Sequence, residues 1–196
     1  VGGKISVYNN PIASLTMPNL EGVFGDFILE NNYNLASLAM NNLEGVGGKI
    51  SVLRNPNLDN NPIASLTMPN LEGVFGDFIL ENNYNLASLA SLTMNNLENV
   101  YNNIDVENNP NLLSLAMPYL GNVGGSIIVL GNPNLASPTM NNLENVFGDF
   151  IVRYNDNLAS LAMPNLEGVG GDISVMPDPG SCDLGVYAGR DQFGFC

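Results

Sequence analysis

The chain has no histidine and no tryptophan, and only 5 lysine and arginine side chains among 196 residues. Charged residues make up 12% of it, against a usual ~25%. Each shortage excludes a class of chemistry. Without histidine there is no Ser-His-Asp triad, no Cys-His pair and no imidazole metal site. So few basic residues cannot neutralise a phosphate backbone, so nucleic acid is not an expected partner. Anionic lipid surfaces are disfavoured for the same reason. No apolar run approaches the ~20 residues of a membrane span, so direct insertion into a membrane is not expected.

What is present is acid, asparagine and a repeated apolar pattern. Asp and Glu number 19 and the formal net charge is -14. Hydrophobic residues reach 45%, which separates the chain from a disordered acidic tail. Its length allows one domain, or two small ones, with enough chain to bury a sizeable core. Val1-Gly2-Gly3 falls in mid-pattern with no signal peptide before it, so a segment of something longer is expected.

The valines after each Leu-Glu-Gly or similar turn are Val1, Val23, Val46, Val74, Val100, Val123, Val146 and Val169, spaced by 22, 23, 28, 26, 23, 23 and 23 residues. The two long spacings hold insertions, around Asn57 to Asn61 and near residues 87–92. Four places after each valine stands Ile5, Phe27, Ile50, Phe78, Ile104, Ile127, Phe150 or Ile173, and two further on Val7, Leu29, Val52, Leu80, Val106, Val129, Val152 or Val175. That alternation reads as a short strand with one buried face. A second apolar set follows, as in Leu15 and Met17. No stretch is long enough for a helix. One unit cannot bury its own apolar side, but stacked units can. The fold class expected is therefore all-β: a parallel β-solenoid of about eight coils over residues 1–176, with a C-terminal cap or following module over 177–196. At ~4.8 Å per coil it would extend roughly 35–40 Å. Residues 9–39 and 60–90 are identical, which suits a repeated surface better than one asymmetric pocket.

Nine places after the valine lies Asn10, Asn32, Asn55, Asn83, Asn109, Asn132 or Asn155. Two structural readings fit: a ladder of stacked amides, or turn residues with positive φ, a need shared with the glycine column two places after the valine.

Units such as Val46-Gly-Gly-Lys-Ile-Ser-Val-Leu-Arg-Asn-Pro-Asn-Leu and Met163-Pro-Asn-Leu-Glu-Gly-Val-Gly-Gly-Asp-Ile-Ser-Val resemble the receptor L-domain repeat. They also resemble the GPI-anchored cell-wall proteins of fungi that carry that repeat. The resemblance implies a right-handed, leucine-rich-repeat-like β-helix in an extracellular setting, serving either ligand capture or wall architecture. The receptor family's disulfides are absent from the repeats, no ligand-binding residue carries over, and there is no Asn-x-Ser/Thr sequon.

Three surface columns and an aromatic set follow from the register. Lys4, Asp26, Lys49, Asp77, Asn103, Ser126, Asp149 and Asp172 read as an outward, solvated row whose first members alternate in sign. Glu21, Glu44, Glu72, Glu98, Glu144 and Glu167 form a column interrupted by Gly121; it is either simply solvated or a weak site for a divalent cation such as Ca²⁺. Ser14, Thr16, Ser37, Ser65, Thr67, Ser114 and Ser160, with Ala39, Ala116, Ala162 and Pro138–Thr139 beside them, form a small-residue face for docking, polysaccharide contact or ice. The pairs Phe24/Phe27, Phe75/Phe78 and Phe147/Phe150 read as core, and Tyr33 and Tyr84 as turn residues.

The only two cysteines, Cys182 and Cys196, read as a disulfide clamping the C-terminal cap in an oxidising compartment, or as thiols that each pair with a partner outside this segment. The expected function is a non-enzymatic extracellular structural or adhesive repeat protein of a cell surface, wall or filament. Its partner would be itself, another surface protein or a polysaccharide. A receptor-type ligand-binding module and an ice-binding protein are the alternatives. Carboxylates arranged in columns, with no irregular cleft, give no grounds to expect an enzyme.

Overall fold

A computed structural model describes residues 1–35, 37–55, 65–84, 91–176 and 182–183. Every described regular element is a strand. The fold is a parallel β-solenoid. Its largest sheet stacks eight strands in chain order: Ile5–Tyr8, Phe27–Glu30, Ile50–Leu53, Phe78–Glu81, Ile104–Glu107, Ile127–Leu130, Phe150–Arg153 and Ile173–Met176. Equivalent positions face each other without slippage, as in Val7 opposite Leu29 and Leu80 opposite Val106. A second sheet stacks seven two-residue strands, from Gly22–Val23 to Gly168–Val169. The third runs through Ser14–Thr16, Ser37–Ala39 and Ser65–Thr67, breaks beside the insertion, and resumes at Ser91–Thr93 and Ser114–Ala116. Single bridges at Thr139 carry it to Ala162, and Leu161–Ala162 then pairs with Cys182–Asp183. The start of the tail thus still pairs with the solenoid. Cys196 lies outside the described residues, and with it the expected Cys182–Cys196 disulfide, as do residues 57–61.

The core is a bundle of apolar columns parallel to the axis. Phe27, Ile50, Phe78, Ile104, Ile127 and Phe150 are fully buried, as are Leu43, Leu71, Leu97, Leu120, Leu143 and Leu166. Phe and Ile share this column, so larger and smaller buried side chains stack together in the narrow interior. Leu38 and Met40 and their successors point inward, as expected of that set. In the first coil Ile5, Val7, Leu15, Met17 and Leu20 are only partly buried. Pro138 departs from the expectation: it is buried and fills the slot that leucine holds in neighbouring coils, and Ser137 takes the outward position.

The asparagine column is a buried ladder. Asn32, Asn83, Asn109, Asn132 and Asn155 are 0% exposed. The backbone N–H of each donates to the Oδ1 of the next: Asn32 to Asn55 at 2.8 Å, Asn109 to Asn132 at 3.0 Å, Asn132 to Asn155 at 3.0 Å. The side-chain Nδ2 reaches the next amide and also a carbonyl of the preceding coil, as from Asn109 to Asn132 Oδ1 (3.2 Å) and to Leu80 O (2.9 Å). Asn10 at the first coil contributes only its N–H, to Asn32 Oδ1. The turn reading is overturned. Positive φ falls one residue earlier, at Asn9, Asn31, Arg54, Asn82, Asn108, Gly131 and Tyr154.

The glycine column is likewise not about φ, because Gly131 is the one described glycine with a positive value. Its cause is close approach. A Cβ on Gly48 would stand 2.2 Å from Asp26 Oδ1, and one on Gly171 2.0 Å from Asp149 Oδ1. These clashes reveal a second ladder. Asp26, Asp77, Asn103, Ser126 and Asp149 each accept the N–H of the equivalent residue one coil on, at 2.8–3.1 Å. The row read as solvated, sign-alternating charge is thus half-buried capping of backbone. An ion pair joins Arg54 to Glu30 elsewhere, at 3.7 Å.

Candidate functional site

The two-residue strands are so short that each exposes what flanks it. Val23, Val46, Val74, Val100, Val123 and Val146 point inward and are buried. Strand alternation therefore turns the residue after each valine outward. That column reads Gly2, Phe24, Gly47, Phe75, Tyr101, Gly124, Phe147, Gly170. Phe24 is 80% exposed, Phe75 59%, Tyr101 54% and Phe147 66%. This corrects the core reading of the Phe pairs: Phe27, Phe78 and Phe150 are core, and their partners are surface. Phe75 and Tyr101 stack, with centroids 4.6 Å apart and planes at 4°. That separation matches the coil repeat, so the rings pile along the axis.

On the other side of the valines runs the glutamate column. Glu21, Glu44, Glu72, Glu98, Glu144 and Glu167 are all exposed. Main-chain bonds hold the column in line, from Glu44 N–H to Glu21 O (2.8 Å), Glu72 to Glu44 (2.8 Å) and Glu98 to Glu72 (2.9 Å). Between the glutamates and the rings the strand positions are Gly22, Gly45, Gly73 and Asn99. Small residues there leave an open trough of about 410 Å³, bordered by Glu21, Glu44, Glu72, Glu98, Phe75 and Tyr101. A neighbouring slot of about 200 Å³, almost wholly apolar, lies over Gly47 between Phe24 and Phe75. Further along, one hollow lies by Glu144 and Glu167 and a separate one by Phe147. Among the described residues no three Asp, Glu, Cys or His side chains converge to hold a metal ion, so the Ca²⁺ expectation for the glutamates gains no support.

The small-residue face is present and in register. Ser14 faces Ser37 and then Ser65 across the sheet, and Thr16 faces Ala39 and then Thr67. Ser14 and Thr16 are exposed, as is Thr67, while Ser37, Ser114 and Ser160 are half-buried. Some hydroxyls spend themselves on one another: Ser14 Oγ lies 3.3 Å from Ser37 Oγ, and Ser160 donates to Ser137 at 3.0 Å. Ala39, Ala116 and Ala162 interrupt the threonine row at Thr16, Thr67, Thr93 and Thr139.

A third surface feature lies on the outside of the large sheet, where Asp105 sits between Ile79 and Ile128 of the adjoining strands. Its Oδ1 is buried without a hydrogen-bond partner. Burial first, then the carboxylates of Glu107, Asp77 and Glu81, push its pKa up to about 6. Glu107 is pushed up too, by burial and by Glu81 opposite it.

The sequence signals placed the Glu and Ser/Thr columns, but not the exposed rings or Asp105. Among known proteins, no family model, no curated protein and no solved structure matches the chain.

Proposed function

We propose that the protein is a non-enzymatic, extracellular structural or adhesive element: a rigid β-solenoid that works through its long faces and sheet edges in a cell surface, wall or filament. The observation that carries this reading is the in-register stack. It turns every surface position into a continuous column, fixed from below by two hydrogen-bonded ladders. Such a surface repeats related contacts along the axis and suits a multivalent or polymeric partner. Among the described residues Ile5–Tyr8 and Ile173–Met176 are the end strands of the large sheet, and end strands left uncovered invite pairing. The resemblance to wall-associated L-domain repeats points the same way. Negative-stain microscopy and sedimentation velocity over a concentration series test it. Rods joined end to end, or mass rising with concentration, are expected; a strict monomer at the highest concentration contradicts the assembly reading.

A receptor-type ligand-binding module is the second reading, favoured by the exposed rings beside the glutamate column. Ice binding has less support, since alanines break the threonine row and serines pair among themselves.

A further inference from the structure

We infer that the trough between the glutamate column and the aromatic column docks an extended, arginine-rich segment of a partner protein. The inference rests on the reading of this rod as a surface-interaction element and names one face and one partner for it.

Charge selects the sign of the occupant. Four exposed glutamates border one trough, and no lysine or arginine lines it. A second copy of this chain presents the same acidic face and carries a formal net charge of -14, so it is repelled there. The rings then select the kind of cation. Phe75 stacks on Tyr101 along the coil direction, and the strand paired on its other side leads into Gly47 at the equivalent position. There the column skips a side chain, leaving the apolar slot between Phe24 and Phe75. Those two rings stand two coils apart, roughly 9.6 Å at ~4.8 Å per coil. A planar group entering that gap meets an aromatic face, and Glu44 belongs to the same coil. A guanidinium is planar, stacks on aromatic faces and pairs with carboxylates through a fork of N–H donors; an ammonium is a strongly hydrated point charge that gains less. Further along, Glu144 and Glu167 border one hollow and Phe147 another, so a carboxylate and a single exposed ring stand near each other there too, without a second ring across the gap.

The test is fluorescence anisotropy with a labelled peptide alternating Arg and Ser, its Lys counterpart, and a chitosan oligosaccharide, each at low and physiological salt. The Arg peptide should bind wild-type protein more tightly than the Lys peptide. Its Kd should weaken about tenfold in Phe75→Ser and in the double variant Glu44→Gln/Glu72→Gln, the size expected for one desolvated cation–π contact or two lost carboxylates. The double variant Tyr33→Ser/Asp156→Asn removes an exposed ring and a charge elsewhere and should bind like wild type. Thermal melts certify folding. If Phe75→Ser fails to fold, Phe24→Ser, at a more exposed site on the same slot, replaces it. Equal binding of Arg and Lys peptides, equal binding by all variants, or binding of the oligosaccharide alone overturns the inference. Phe75→Ser that loses the peptide yet assembles normally keeps the face and the rod distinct; a face that fails while assembly persists leaves the rod reading standing.

Discussion

Replacing Asn109 with alanine removes one rung from the middle of the buried ladder. Its Nδ2 donates to Leu80 O (2.9 Å), Glu107 O (3.0 Å) and Asn132 Oδ1 (3.2 Å). Its Oδ1 accepts from Asn83 N (3.3 Å) and Asn83 Nδ2 (3.2 Å). A typical internal hydrogen bond contributes ~1 kcal/mol net, and a buried donor left unpaired costs ~1–3 kcal/mol. Alanine leaves the Asn83 N–H in that condition and strips a donor from the Leu80 carbonyl. The expected loss is about 3–5 kcal/mol, a large share of a domain's stability. Asn10→Ala is the comparison. Asn10 is exposed and lends the ladder only its backbone N–H, so its loss should stay within ~0.5 kcal/mol. Urea denaturation by circular dichroism gives both values. Because stacked coils interact chiefly with neighbours, the Asn109 variant should also broaden the transition, as one weak interface uncouples two halves. A cost below ~1 kcal/mol, or equal costs for the two variants, would refute the ladder as a source of stability.

Asp105 gives the fold a pH dependence of known sign. Its folded pKa, pushed up to about 6 from an ordinary 3.8, means the folded state holds the proton more tightly. Its contribution is therefore complete below pH ~4 and is lost as pH rises through ~6, worth about 1 kcal/mol after screening of a half-exposed group. Asp105→Asn should flatten that segment of the stability–pH curve; an unchanged slope would show the carboxyl is not desolvated. Gly47→Ala would put a Cβ 2.4 Å from the Phe24 carbonyl oxygen and should cost about 1–3 kcal/mol, whereas Gly2→Ala meets nothing within 4 Å and should cost nothing measurable in a thermal melt.

The coil length, the strands and the inward columns were legible because a period of 2 inside a period of about 23 leaves little freedom. The Asn ladder was legible only as one of two options, since Gly and Asn serve both positive φ and close packing. Asn9, Asn31, Asn82 and Asn108 stand immediately before ladder residues, so adjacent asparagines do different jobs and composition cannot separate them. The Asp26–Asp149 row misled because small polar side chains reach a backbone N–H one coil away, a contact invisible without the stack. The Phe24 column was missed although parity alone decides it: Val23 faces inward, so Phe24 cannot. Pairing Phe24 with Phe27 by residue type overrode that rule. Asp105 was unreadable because the residues that flank it across the sheet, Ile79 and Ile128, are each about a coil away in sequence.

Amide hydrogen exchange read residue by residue tests the in-register stack, on which every surface column depends. The backbone N–H groups of Asn32, Asn55, Asn83, Asn109 and Asn132 should be among the slowest to exchange, recurring once per coil, because each is buried and bound to the next amide. Exchange of those five as fast as the exposed turn residues Asn41 or Asn95, or protection without a coil period, would contradict the solenoid and the binding faces built on it.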